Sequence, residues 1–153
     1  MVEEAKFSEF LRRAGLKMTR ARREVLEEVF RSHDHFDADE LYLRLKERQA
    51  GVSRATVYRT LILLVSGNLV RKMDLGEGRN IYEHILGHPH HDHLICVKCG
   101  RILEFHNPHM EEIQKEVCRE FDFEMLSHTQ QLHGICHACR QKRKSAPSSV
   151  KSR

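Results

Sequence analysis

Two pairs of cysteines, each with the spacing Cys-x-x-Cys, constrain this chain more than any other feature. Cys96 and Cys99 form the first pair, and Cys136 and Cys139 form the second. Four thiolates in two such steps make the closed tetrahedral set that zinc takes in structural sites. We therefore predict a structural zinc ion that joins two segments of the C-terminal half and stabilises a domain with a small apolar core.

A second group of candidate ligands lies directly before the first cysteine pair, in the run His90-His91-Asp92-His93. Imidazole and carboxylate are harder ligands than thiolate and suit iron, manganese, nickel or zinc. Because side chains alternate between the two faces of a strand, His91 and His93 should point one way and His90 and Asp92 the other. One short strand can then serve two different metals.

The length and composition favour a cytoplasmic protein. A chain of 153 residues can form one domain or two small ones. It contains no run near the roughly 18 apolar residues of a membrane span and no signal-peptide pattern. We expect no membrane association and a cytoplasmic location, where thiols stay reduced and metal binding is favoured over disulfides.

Positive charge is concentrated in two segments, although the net charge is only +4. The tail from Arg140 onward carries six basic residues and no acidic one. Such clusters favour a polyanionic partner, most often nucleic acid, over the alternative of a solvated helix face. The basic residues of the N-terminal segment are Arg12, Arg13, Lys17, Arg20, Arg22 and Arg23.

The N-terminal half has the pattern of a winged helix-turn-helix. Helices are predicted at 7–15 and 19–32, and a third follows the acidic turn at 37–40 and ends at Gly51. Ser53 caps a fourth helix, which runs to Ser66. Strand-like runs at 69–73 and 80–83 flank Gly76-Glu77-Gly78 and predict a hairpin, the wing.

The C-terminal half has a different composition and predicts an α/β domain. Residues 93–105 read as a strand pair that turns at Cys99-Gly100, and Asn107 caps a helix with Pro108 at its first position. Residues 124–135 are strand-like. The fold class is therefore α+β, with a DNA-binding domain at 1–84, a linker at 85–89, a metal-binding domain at 90–143 and a disordered basic tail at 144–153.

The fourth helix has the features of a DNA-reading helix. The amino-terminal part of a recognition helix enters the major groove, where Arg can bind guanine and a Tyr ring can lie against thymine methyls. Tyr58 and Arg59 are the candidate base readers, and Arg54 and Thr56 are the candidate phosphate contacts. The alternative is a surface helix whose Tyr and Arg only cover their neighbours.

Several of these segments together resemble the ferric uptake regulator family, from about residue 7 to residue 140. The resemblance implies a metal-dependent transcriptional repressor that binds double-stranded DNA as a homodimer. It also implies an N-terminal winged helix and a C-terminal dimerisation domain. The segments that carry it are Ala14-Gly15-Leu16-Lys17-Met18-Thr19, Ala55-Thr56-Val57-Tyr58-Arg59, His90-His91-Asp92-His93-Leu94-Ile95-Cys96 and Cys99-Gly100.

The resemblance also implies roles for single residues. Lys17 would enter the minor groove at an A·T-rich flank, beside the major-groove readers Tyr58 and Arg59. The four cysteines would hold structural zinc. A regulatory site for Fe²⁺ or Mn²⁺ between the domains would be formed by His35, Glu83, His91, His93 and Glu104. An additional site within the C-terminal domain would be formed by His90, Asp92, Glu111 and His128.

Several alternatives remain open at the level of the sequence. His84 competes with Glu83 as a ligand, because the linker is slightly longer than in the best-known family members. A zinc enzyme and a metal-buffering protein are the competing classes. The P-C-x-x-C motif of a zinc deaminase is missing, since no proline precedes Cys96 or Cys136. Within the family, Glu83 and Glu104 favour iron sensing over peroxide sensing, with manganese and zinc as further possibilities. A tetramer is an alternative to the dimer. We expect Cys118 to be a buried small apolar residue.

Overall fold

The computed structural model describes residues 2–31, 33–76, 78–87 and 90–145. The chain divides into two compact units, Met1–His88 and Pro89–Arg153, called unit 1 and unit 2 below. This division falls within the segment that the sequence assigns to the linker. Throughout the described part of the chain, every helix is too short or too polar to cross a membrane.

Unit 1 contains four helices followed by a two-stranded hairpin, as predicted for a winged helix-turn-helix. The hairpin is antiparallel and pairs Val70 with His84 at one end and Asp74 with Asn80 at the other. The prediction of helix 1 was too short at its start, because the helix begins at Val2. The elements are α1 (Val2–Arg13), α2 (Arg20–Val29), α3 (Ala38–Glu47), α4 (Arg54–Ser66), β1 (Val70–Asp74) and β2 (Asn80–His84).

Side chains at the helix starts explain where these helices begin. The Thr19 hydroxyl accepts a hydrogen bond from the Arg22 backbone at the start of α2. Ser53 does the same for Thr56 at the start of α4. Both caps agree with the sequence prediction, and each satisfies an N–H group that has no partner within its own helix.

A single apolar core holds unit 1 together. Phe7 and Leu11 of α1 are fully buried, which ties this helix to the rest of the unit. The predicted core stripe of α4 is confirmed, since Val57, Leu61 and Leu64 are fully buried as well. The opposite face of α4 is therefore left exposed and available to a partner.

Unit 2 is built around a three-stranded sheet in the order β4-β3-β5. The predicted strand pair is confirmed, since β3 and β4 are antiparallel and pair His93 with Glu104. The parallel pairing of β3 with β5 was not predicted. The elements are β3 (Asp92–Cys96), β4 (Ile102–Phe105), α5 (Pro108–Glu120), β5 (Gln131–Gly134) and α6 (His137–Ser145).

Three further expectations for unit 2 need correction. The strand-like segment 124–135 forms a strand only at Gln131–Gly134. Helix α6 was not predicted, and it extends to Ser145, two residues into the segment assigned to the tail. The remainder of that predicted tail, 146–153, lies outside the described residues. Cys118 is half-buried rather than buried.

Unit 2 buries very little apolar surface. Of its described residues, Ile95 and Cys96 are the buried hydrophobic ones. Helix α5 starts as predicted, with Asn107 accepting from the His109 and Met110 backbone, but it has no buried residue. Small domains with so little core need a metal, disulfides or association to be stable. The large apolar side chains left exposed are Leu94, Val97, Leu103, Ile113, Val117, Phe121, Phe123, Leu126 and Leu132.

The two faces of α4 make a test of this packing. We expect Leu61→Ala to lower the free energy of unfolding by about 2–5 kcal/mol, because it leaves a cavity in the unit 1 core. Ile62 is 63% exposed, so Ile62→Ala should change the free energy of unfolding by less than about 0.5 kcal/mol. Urea unfolding of the full chain, followed by circular dichroism, measures both. Equal effects of the two substitutions would contradict the assigned orientation of α4.

Candidate metal centres and nucleic-acid interface

The four cysteines of the two Cys-x-x-Cys pairs converge in unit 2. Cys96 ends β3, Cys99 lies in the turn after it, and Cys136 and Cys139 lie at the start of α6. All four sulfur atoms are within 4.8 Å of one another. The Cys99 and Cys136 sulfurs are 3.8 Å apart. Four thiols in such a group match the ligand number and type of a tetrahedral zinc site.

The electrostatics of this cluster favour a bound cation. Backbone N–H groups of Cys136 and Cys99 donate to the Cys96 sulfur and lower the pKa of Cys96 to about 6. Hydrogen bonds with the Cys136 and Cys99 side chains raise the pKa of Cys139 to about 12. Cys96 is thus readily ionised to a thiolate, but four thiolates this close together would repel one another. A divalent metal removes that conflict.

A second convergence in unit 2 involves His90, Asp92, Glu111 and His128. The Nε2 atoms of His90 and His128 each lie 3.2 Å from the same Glu111 Oε1 atom. His90 Nε2 is also 3.4 Å from Asp92 Oδ1. Potential ligand atoms of all four residues lie within 4.8 Å of one another. The predicted members of the additional site are therefore brought together.

The buried polar atoms of this second group fit a metal. Asp92 Oδ1, Glu111 Oε1 and His128 Nε2 are buried and form no hydrogen bond with the described residues. Burying such atoms without partners is costly, and most buried polar groups in proteins have one. A divalent ion bound by two imidazoles and two carboxylates would satisfy them together.

The predicted regulatory residues of unit 1 lie side by side. His35 Nε2 is 3.6 Å from Glu83 Oε2, and the Glu83 side chain is almost fully buried. Its rival His84 is also buried, but His84 Nδ1 is 3.1 Å from the Leu86 carbonyl oxygen. The His84 ring further contacts the ring of Phe30. Glu83 thus lies next to a second candidate ligand, whereas His84 packs into unit 1.

The other predicted regulatory residues lie together in unit 2. The His91 and His93 rings have centroids 5.0 Å apart, as expected for neighbours on one face of a strand. His91 Nε2 is 4.0 Å from Glu104 Oε2, and His93 is fully buried. Three of the five predicted ligands are therefore grouped within unit 2, and the remaining two within unit 1.

The residues predicted to bind DNA are exposed or partly exposed in unit 1. Tyr58 and Arg59 are exposed on α4, and Lys17 is exposed in the loop before α2. The two predicted phosphate contacts have partners within the protein. Arg54 donates to Asp39 Oδ1, and the Thr56 hydroxyl is 2.9 Å from the Ser53 hydroxyl.

Acidic side chains pair with much of the N-terminal basic segment. Arg13 and Arg23 lie 2.6 Å from Glu9 and 2.7 Å from Glu4, respectively. In the described part of the chain, Lys17 forms no ion pair, and its carbonyl oxygen accepts a hydrogen bond from the Arg22 guanidinium. The positive charge of this segment is thus smaller than the sequence run indicates.

One functional candidate, Asp39, was missed by sequence reasoning. The sequence indicates only that it belongs to an acidic first turn of α3. In the structure its carboxylate accepts hydrogen bonds from Arg54 and from the Tyr58 hydroxyl. These partners lie 15 and 19 residues away along the chain, so local spacing holds no signal for the contact.

Comparisons with known proteins agree with this arrangement. Residues 13–133 match the Ferric uptake regulator family. The Ferric uptake regulation protein of Campylobacter upsaliensis is 40% identical over 141 residues, which cover 91% of this chain and 90% of that protein.

Two solved structures are similar in fold and sequence. The ferric uptake regulator from Pseudomonas aeruginosa with manganese has a TM-score of 0.76 and 33% identity, covering 90% of this chain and 99% of that one. The Helicobacter pylori regulator, described as having three functional metal binding sites, has a TM-score of 0.71 and 31% identity, covering 85% and 86%. This chain therefore belongs to the ferric uptake regulator family of metal-responsive transcriptional regulators.

Proposed function

We propose that this protein is an iron(II)-sensing repressor that binds a palindromic, A·T-rich operator as a homodimer when its regulatory site holds metal. The observation that carries the proposal is the division of one ligand set between the two units. Unit 1 contributes the neighbouring His35 and Glu83, and unit 2 contributes a group that includes His91 and Glu104. A divalent ion bound by both groups would select the arrangement of the units that binds DNA.

The cysteine cluster is proposed to hold structural zinc. Its four sulfurs leave no open coordination position for a substrate, which sets it apart from a catalytic zinc site. Its place at the end of β3 and the start of α6 would let the metal fix the sheet to the last helix. This role does not require the metal to exchange.

The group of His90, Asp92, Glu111 and His128 is proposed as the additional metal site. It lies wholly within unit 2, so occupancy there would stabilise that unit rather than bridge the two units. The Helicobacter pylori relative is described as having three functional metal binding sites. Three sets of candidate ligands in this chain are consistent with the same number.

Iron(II) is the proposed signal because of the ligand chemistry. The regulatory set contains three imidazoles and two carboxylates, which suit Fe²⁺ or Mn²⁺ better than a thiolate site would. The carboxylates belong to Glu83 and Glu104 rather than to aspartates, which favours iron over peroxide sensing. Zn²⁺ would bind the same ligands in vitro, since affinity generally rises along the series from Mn²⁺ to Cu²⁺ and zinc exceeds iron.

A homodimer through unit 2 is proposed because the unit exposes the side chains that a core would bury. Leu94 lies opposite Leu103 on one side and Leu132 on the other, which makes an apolar row across the sheet. All three leucines are more than 40% exposed. Helix α5 adds Ile113 and Val117. Exposed apolar surface of this extent is typical of a subunit interface, and a second copy would cover it.

DNA contact is proposed for the exposed face of unit 1. Tyr58 and Arg59 would read bases in the major groove, and Lys17 would reach the adjacent minor groove. The wing and the ends of the helices supply further backbone contacts. The contacts proposed for Arg54 and Thr56 are with phosphates, and each would need to exchange a partner within the protein.

A substitution in the cysteine cluster tests the structural zinc. We expect Cys96→Ser to abolish the folded dimer, because structural zinc contributes on the order of 10 kcal/mol, as much as the stability of a typical domain. Sedimentation velocity and zinc analysis measure the result. Cys118→Ser is the matched control, since Cys118 lies outside the cluster, and it should leave both unchanged. A zinc-free Cys96→Ser dimer with a normal melting curve would contradict the structural role.

A substitution of one regulatory ligand tests the proposed function itself. We expect His91→Ala to keep the dimer and its zinc but to lose metal-activated DNA binding, because the unit 2 ligand group is broken. The measurement is duplex binding titrated with Mn²⁺, an air-stable substitute for Fe²⁺. The double variant His90→Ala, Asp92→Ala changes the other face of β3 and should weaken binding less. Wild-type metal dependence of His91→Ala would show that the switch lies elsewhere.

The charge on unit 1 predicts a strong salt dependence. A dimer that contacts about 6–10 phosphates should lose roughly 10³–10⁵ in affinity between roughly 50 and 200 mM salt, because counterions are released on binding. Fluorescence anisotropy with a labelled duplex at several salt concentrations measures the slope. Lys17→Ala should reduce the slope, since it removes a cation with no ion pair in the described part of the chain. A flat profile would exclude phosphate contacts as the main source of affinity.

A further inference from the structure

One carboxylate organises the amino-terminal part of the recognition helix α4. Asp39 lies in the first turn of α3, and its Oδ1 atom is 2.7 Å from Arg54 Nε. A second contact of the same ion pair joins Arg54 Nη2 to Asp39 Oδ2, so the carboxylate binds one edge of the guanidinium through both of its oxygen atoms. The Tyr58 hydroxyl donates to the same Oδ1 atom at 3.1 Å. The two donors are four positions apart and thus lie on one face of α4.

This contact is not needed to form the helix that carries it. The cap of α3 is Asp37, whose side chain accepts from the Asp39 and Glu40 backbone. The side chains of Arg54 and Asp39 are 59% and 46% exposed, and ion pairs with this much exposure contribute little to stability. The main consequence of the Asp39 contacts is therefore the conformation and charge of the surface that would meet DNA.

The ionisation of the three groups supports a persistent contact. The hydrogen bond from Arg54 lowers the pKa of Asp39, and the hydrogen bond to Asp39 raises the pKa of Arg54. The hydrogen bond to Asp39 also raises the pKa of Tyr58. All three shifts favour the charge states in which the contact exists, an anionic Asp39 with a cationic Arg54 and a protonated Tyr58.

We propose that Asp39 is a positioning residue that sets the DNA specificity of this protein. It holds the Tyr58 ring in one orientation for base reading, and it competes with the phosphates for the Arg54 guanidinium. The proposal rests on the proposed function, since it requires that α4 reads DNA. Holding Tyr58 in place lowers the conformational cost of reading the correct sequence. Competition for the Arg54 cation weakens phosphate contacts on every sequence about equally, so it lowers the overall affinity, and the discrimination depends on Tyr58.

The test compares two duplexes in the presence of Mn²⁺ and uses four single variants of the full-length protein, with one double variant made from two of them. The first duplex is one that the unchanged protein selects from a random pool, and the second is a scrambled duplex of the same composition. The ratio of their dissociation constants measures discrimination, and the dependence of log K on log salt for the scrambled duplex measures phosphate contacts. The variants are Asp39→Ala, Asp39→Asn, Tyr58→Phe and Glu40→Gln.

Asp39→Ala should lower discrimination by roughly three- to tenfold, as expected for the loss of one hydrogen bond. It should also bind the scrambled duplex more tightly, with a salt slope steeper by about 0.9 per protomer, because the freed Arg54 can reach a phosphate. Asp39→Asn keeps an acceptor for Tyr58 but not the ion pair. It should therefore retain most of the discrimination while showing the same steeper slope.

The other two variants separate the two effects. Tyr58→Phe removes only the hydroxyl, and should lose discrimination as Asp39→Ala does without a change in slope. Adding Tyr58→Phe to Asp39→Ala should cause no further loss. Glu40→Gln is the matched control, since it removes an acid from the same turn of α3 that pairs with Arg44 instead. It should keep the discrimination of the unchanged protein.

Different results overturn different claims. If Asp39→Ala keeps both the discrimination and the salt slope, the positioning role is wrong. The positioning role is also wrong if Glu40→Gln has the same effects as Asp39→Ala, since the loss of any acidic side chain from this turn would then produce those effects. If the unchanged protein selects no duplex, DNA reading by α4 fails first, and the role of Asp39 fails with it. If Asp39→Ala does not fold, Asp39→Asn and Tyr58→Phe still distinguish the two effects.

Discussion

In unit 2, the contact among four cysteine sulfurs has to supply what an apolar core supplies in unit 1. Among the described residues of unit 2, Ile95 and Cys96 are the buried hydrophobic ones, and one of these belongs to the cluster itself. The sulfurs connect the end of β3 with the start of α6, segments about forty residues apart in sequence. Strands β3 and β4 carry the candidate ligands Asp92, His93 and Glu104, so the sites that include them depend on the cluster as well.

Strand β3 and the two residues before it contribute to two further groups of candidate metal ligands. Because side chains alternate along β3 and the two residues before it, His90 and Asp92 join Glu111 and His128, while His91 lies beside His93. A register shift of one residue would exchange the two groups. The pairing of β3 with strands on both sides, one antiparallel and one parallel, prevents such a shift. The cysteine cluster at the end of β3 opposes the same shift, because a shifted Cys96 would move away from the other three sulfur atoms.

Sequence reasoning succeeded where the signal was local and failed where it was not. Caps at Thr19, Ser53 and Asn107, the hairpin and the β3–β4 pair were all predictable, because each depends on neighbouring residues. Helix α6 is short and highly charged, so it has no apolar periodicity that would reveal it. The parallel pairing of β3 with β5 joins distant segments, and so does the contact of Asp39 with Tyr58. The ligand groups were named from a family resemblance, and no spacing rule would bring Glu111 and His128 to the strand.

The acidic partners of the basic residues in unit 1 bear on how such a regulator can be switched. Glu4, Glu9 and Asp39 each pair with an arginine of the surface proposed to meet DNA. Pairs this exposed contribute little to folding, so their main effect is on the electrostatic field. A strongly basic surface would bind any DNA, whether or not metal is present. A metal shifts an equilibrium only by the difference in its affinity for the two states, so it could then change the fraction of DNA that is bound only slightly. Under the proposed function, partial neutralisation would keep the affinity without metal low, and metal bound at the regulatory site would then decide whether the operator is bound.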